Sequence, residues 1–99
     1  MALSATDISK IQATIRFAVE HNCSYGTALE TWPTTKSWDG LAAYDFTELG
    51  MDDTNVSAMW SWVANPAHLP ASAKAPSSDD QDACVSVGDV LEAIKKASQ

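Results

Sequence analysis

Cysteine, histidine and basic side chains are all scarce in this 99-residue chain, and no long apolar run interrupts it. The two cysteines, Cys23 and Cys84, lie far apart and form no CxxC motif. Only two histidines, His21 and His68, are present, and neither is spaced with a cysteine as zinc requires. No metal site is expected, and the simplest reading of the cysteines is two free thiols in a reducing compartment, with a Cys23–Cys84 disulfide as the alternative. No stretch approaches the roughly 18 apolar residues of a membrane span. The opening "MALSATDISK" lacks the basic-then-apolar layout of a secretory signal, which points to a cytoplasmic protein away from membranes. Strand signals are missing as well: there are no alternating β-branched runs and no Asn-Gly hairpin turns.

Six Lys and Arg residues stand against 13 acidic ones, for a net charge of −7. Affinity for nucleic acid comes chiefly from Lys and Arg on phosphate, so nucleic acid is excluded as a partner. A protein partner with a basic patch is the natural expectation, although the same charge also serves solubility. The length allows one domain, residues 1–99, with a single modest core and no second lobe. A monomer is expected.

What is present is mostly helical. In "SATDISKIQATIRFAVEHN" the residues Ile8, Ile11, Ile15, Ala18 and Val19 recur at helical spacing. Ser4 and Asp7 make a capping box for that helix, with Thr6 as the alternative cap, and the helix should end near Asn22. A second helix is predicted from Thr54 to Asn65, with Val56, Met59, Trp60 and Val63 as its apolar stripe. Asp52 and Asp53 sit at its positive end and Pro66 stops it. A third helix follows in "SVGDVLEAIKKASQ", capped by Ser86 and Asp89, with Val87, Val90, Leu91 and Ile94 facing inward. The spacing therefore predicts an all-α fold, a small three- to four-helix bundle.

Two connections stand out. Residues 23–47 carry the breakers Gly26, Pro33 and Gly40, yet also Tyr25, Trp32, Trp38, Tyr44 and Phe46. Ordinary connections run about 4–6 residues. A loop this long and aromatic should pack on the core, with a short helical turn over Trp38 to Tyr44. Residues 66–85, rich in Pro, Ala, Ser and Asp, read as a partly mobile linker with Asp79, Asp80 and Asp82 solvated.

The order of these pieces resembles the acyl or peptidyl carrier protein family. A first helix and a long loop lead to "LGMDDTNVSAMWSWV", then a Pro-marked break and a final "VSVGDVLEAI". Carriers show Leu-Gly, one residue, then Asp-Ser-Leu at the head of the helix they use for recognition. Leu49, Gly50, Met51 and Asp52 match the start of that pattern. The resemblance implies a bundle of acyl-carrier-protein type with a long first loop. It also implies a non-catalytic role in a fatty-acid, polyketide or related pathway.

The family's serine carries 4′-phosphopantetheine, and at that position this chain has Asp53, which offers no hydroxyl. A second register takes Asp53 as the family's aspartate and places Thr54 at the serine. The stretch then resembles carriers of β-branching polyketide enzymes, which have a tryptophan six residues after the serine; Trp60 and Asn65 fall in the matching positions. Phosphopantetheine would thus be held only through Thr54, a crowded hydroxyl, and otherwise no cofactor is expected.

Docking to a biosynthetic enzyme is then the expected activity, with Asp52, Asp53, Trp60 and Trp62 as contact residues. A plainer account makes the two aspartates a helix cap and Trp60 a core residue, with Trp62 partly exposed. The competing reading is an unrelated small helical interaction or structural subunit. An enzyme fits least, because no catalytic constellation accompanies the aspartates and a three-helix bundle leaves little room for a pocket.

Overall fold

In a computed structural model, residues 3–23 and 38–99 are described. Among them are five α-helices: α1 (Ala5–Asn22), α2 (Trp38–Ala42), α3 (Asp53–Val63), α4 (Ser78–Asp82) and α5 (Val87–Ala97), with one 3₁₀ turn at Pro66–His68. No strand occurs among the described residues, so the all-α expectation holds. Residues 24–37, the middle of the long first connection, lie outside the described residues, and with them Tyr25, Trp32 and the expected packing of that stretch on the core.

The three long helices begin where local side-chain chemistry tells them to. In α1, the Ser4 hydroxyl accepts the Asp7 N–H while the Asp7 carboxylate accepts the Ser4 N–H, at 3.1 and 3.3 Å. Asp52 and Asn55 make the same reciprocal pair at the head of α3, at 2.9 and 3.1 Å. Ser86 and Asp89 do so for α5, at 3.3 and 3.1 Å. Each box satisfies donors that the first helical turn leaves unpaired. Helix α3 therefore starts at Asp53, one residue earlier than predicted, because Asp52 is the cap. It ends at Val63, since Pro66 holds Asn65 in an extended conformation.

The inward stripes meet in one core: Ile11, Ile15, Ala18 and Val19 of α1, Met59, Trp60 and Val63 of α3, and Val87, Val90, Leu91 and Ile94 of α5. Helix α1 packs chiefly against α3, and α5 packs against α1 and α2. The expected short turn is α2, whose Leu41 is fully buried. After it the chain runs beside the entry to α5: Phe46 N–H donates to Val85 O and Val87 N–H donates to Tyr44 O, both at 3.0 Å. A tight turn over residues 45–50 then closes on Gly50, whose φ of 67° is left-handed and costs glycine nothing. That turn buries Phe46, Leu49 and Met51 and aims the chain into α3.

Residues 66–85 are more structured than a linker. The Asn65 side chain accepts the Ala67 N–H to start the 3₁₀ turn, and Ser77 accepts the Asp80 N–H to cap α4. The stretch is also tied to the bundle: Thr14 donates to His68 O at 2.7 Å and Lys74 N–H donates to the Ser98 hydroxyl at 2.8 Å. Short polar residues read from sequence as loop here because each makes a cap, and caps and loops use the same residue types. Asp79 and Asp82 are exposed and Asp80 is half-buried.

Candidate functional site: an acidic groove beside helix α3

A groove of about 790 Å³ runs between α3 and the α4–α5 connection. Its apolar wall comes from Phe46, Met51, Val56, Trp60, Cys84 and Val85, and its polar groups include Asp53, Ser57, Ser61, Gln81 and Asp82. The bundle thus has more room than three helices alone imply, because α4 stands beside α3 as a second wall. Val85 is 63% exposed at the rim. Among the described residues no Lys, Arg or His lines the groove, while two carboxylates do. Among the described residues the single ion pair is Lys95 with Glu92 on α5, at 3.4 Å. Neither Asp53 nor Asp82 is in an ion pair with another described residue, so the described part of this face is acidic.

The residues singled out from sequence divide between two faces. Asp53 and Trp60 line the groove, and Asp52 lies next to them as the cap of α3. Trp62, two residues beyond Trp60, stands roughly 200° around the helix and points away from the groove. Its ring stacks on Phe17 at 4.8 Å between centroids and on His68 at 3.7 Å. Trp62 is 38% exposed, as expected, but it belongs to the α1 side of the bundle. The four residues do not form one contact patch.

Asp53 is the first residue of α3 and Thr54 the second, and both are exposed. A phosphodiester to phosphopantetheine needs a hydroxyl at the head of this helix. The carboxylate of Asp53 does not provide it, so the residue that leads α3 does not fit the group. Ser57 and Ser61 lie within the helix, where the Ser61 hydroxyl donates to Ser57 O at 3.1 Å.

The groove contains one thiol, and its chemistry is quiet. Burial, and then the carboxylates of Asp89 and Asp80, push the Cys84 thiol up from 9.0 to about 11. Its sulfur donates to Asp80 O and Asp89 O at 3.3 and 3.4 Å. A nucleophilic cysteine needs the reverse, a nearby cation or base that favours the thiolate. Cys23 is buried and donates to Leu49 O at 3.0 Å, so both cysteines are free thiols. Trp60 is 5% exposed, and its indole N–H is the one buried side-chain polar atom without a partner among the described residues. No cluster of His, Cys, Asp and Glu suited to a metal ion occurs among the described residues.

Set against known protein families, curated proteins and solved structures, the chain matches none of them. Among the described residues no helix is long and apolar enough to cross a membrane. Phe46, Cys84 and Val85 are among the groove residues that sequence reasoning missed. They come from segments nearly forty residues apart, joined by the Phe46–Val85 hydrogen bond, and no local pattern announces that pairing.

Proposed function

We propose that this chain is a non-catalytic, acyl-carrier-like docking protein of a fatty-acid, polyketide or related biosynthetic pathway. It offers the acidic head of α3 and the groove beside it to a basic surface of a partner enzyme. The observation that supports this reading most is the groove itself: an apolar trough lined by Asp53 and Asp82 with no cation among its described lining residues. A partner helix with one large apolar side chain flanked by Lys or Arg would satisfy both features. The order of capped helices and the Leu49-Gly50 turn before α3 agree with the carrier resemblance. Asp53 at the head of α3 argues for docking without an arm. The neutral Cys84 argues against thiol catalysis in the groove.

Intact mass after incubation with coenzyme A and a broad-specificity phosphopantetheinyl transferase tests the reading. The natural chain should stay unmodified and Asp53→Ser should gain the mass of the arm. Loading of the natural chain would instead make it a working carrier through Thr54. If neither protein is loaded, the carrier likeness fails and an unrelated helical interaction subunit becomes the better account.

A further inference from the structure

Helix α1 carries a second surface feature, on the side opposite its buried stripe. Lys10, Ala13, Phe17 and Glu20 recur at helical spacing along that outward face. Lys10 and Ala13 are exposed, Phe17 is 42% exposed and Glu20 is half-buried. Phe17 and Trp62 beside it are two of the three exposed large hydrophobic residues among those described. Single exposed apolar residues need no explanation, but two in ring contact on one face form a patch.

The patch is also held in shape. His21, Phe17, Trp62 and His68 form a continuous stack, with centroids 4.0, 4.8 and 3.7 Å apart in that order. Each histidine is fixed in turn by its Nδ1, which lies 2.8 Å from Phe17 O in His21 and 2.7 Å from Trp62 O in His68. A carbonyl only accepts, so both Nδ1 atoms carry a proton and donate. Phe17 is therefore presented rigidly, and a surface fixed before binding loses little entropy when it is covered.

We propose that this stripe is a homodimer interface, on which a second copy of the chain packs antiparallel about a two-fold axis. The order of residues along the stripe favours that occupant. Ala13 and Phe17 lie equally far to either side of Ile15, and so do Lys10 and Glu20. When two α1 helices cross antiparallel at that level, Phe17 of each copy meets the small Ala13 of the other. Lys10 of each copy likewise meets Glu20 of the other. The large side chain fills the gap left by the small one, and opposite charges align at both ends. A two-fold axis makes each contact twice, which is how a self-complementary face closes into a dimer. Neither Lys10 nor Glu20 makes an ion pair with any described residue of its own chain. A single helix pair with flanking rings lies at the small end of specific interfaces, so the dimer should dissociate in the micromolar range.

Sedimentation equilibrium of the full chain, from low micromolar to near-millimolar concentration, tests this. The natural protein should dimerise reversibly. Lys10→Glu and Glu20→Lys should each weaken the dimer by about tenfold or more, because attraction becomes repulsion at two symmetric positions. The double variant K10E/E20K should restore it, since the pairs are merely exchanged. Ala13→Arg, at an exposed position, should block Phe17 without disturbing the fold, which circular dichroism would verify. A monomer at every concentration would overturn the proposal, as would a dimer indifferent to the single swaps or one the double variant fails to restore. No residue of α1 lines the acidic groove, so these variants leave docking there unchanged.

Discussion

Trp60 and Trp62 stand two residues apart on α3 and serve opposite sides of the molecule. Trp60 is 5% exposed and closes the inner wall of the acidic groove, whereas Trp62 is 38% exposed and stacks between Phe17 and His68. The two rings hold α3 between the groove and α1. Their substitutions should differ accordingly. Trp60→Ala should cost about 3–5 kcal/mol, as loss of a large buried aromatic does. Trp60→Phe should be much milder, because the indole N–H it removes has no partner to lose. Trp62→Ala should cost about 1 kcal/mol through its lost stacking. Urea unfolding followed by circular dichroism measures all three, and an equal cost for Trp60→Ala and Trp62→Ala would contradict this division.

The two aspartates at the head of α3 should separate cleanly. Asp52→Ala removes the oxygen that accepts the Asn55 N–H and should cost about 1 kcal/mol. Asp52→Asn keeps that acceptor and should be nearly neutral. Asp53 makes no cap, so Asp53→Asn should leave stability almost unchanged while weakening binding to a basic partner and reducing its salt dependence. Thermal melts beside binding titrations at two ionic strengths would check both halves of this expectation.

Cys84 should alkylate slowly for a half-buried thiol. With its pKa pushed from 9.0 to about 11, it holds roughly a hundredfold less thiolate at pH 8 than an ordinary cysteine. The same environment bears on stability. The folded state favours the protonated thiol, so this contribution is fully present below the unfolded value of 9.0 and is lost as pH rises through about 11. Iodoacetamide kinetics on the native protein, and melts between pH 8 and 11 with Cys84→Ser as reference, test the two statements. Fast alkylation at pH 8 would mean that the thiol is not held by Asp80 and Asp89 as described.

Gly88, in the first turn of α5, should resist a change that normally strengthens helices. Alanine is better than glycine inside a helix by about 1 kcal/mol. At this position its Cβ would lie 3.0 Å from Ala42 O and 3.1 Å from Ala42 Cβ, so α2 would have to move. The crowding should cost about 1 kcal/mol or more, and Gly88→Ala should not raise the melting temperature. A higher melting temperature would show that α2 yields easily to α5.

Much of the bundle could be read from the chain because its signals are local. The pairs Ser4 with Asp7 and Ser86 with Asp89 are capping boxes in sequence and in structure, since a cap needs only residues three apart. The stripes Ile11–Ile15–Val19 and Val87–Val90–Ile94 are buried as spaced, because helical geometry alone gathers them on one face. Residues 66–85 misled for the same local reason: Asn65 and Ser77 start helical turns using residue types that also populate loops.

The sequence by itself determined, to within one residue, where the three long helices begin, which face each buries, and that the head of α3 is acidic with no hydroxyl at Asp53. Those properties depend on a few neighbouring residues and a fixed helical period. Only the tertiary structure decided that Phe46 and Val85 meet to wall a groove, that Cys84 sits between two carboxylates there, and that Phe17 and Trp62 stack into an outward patch. Each of these depends on which distant segments converge, and that is set by how the buried stripes of α1, α3 and α5 pack together.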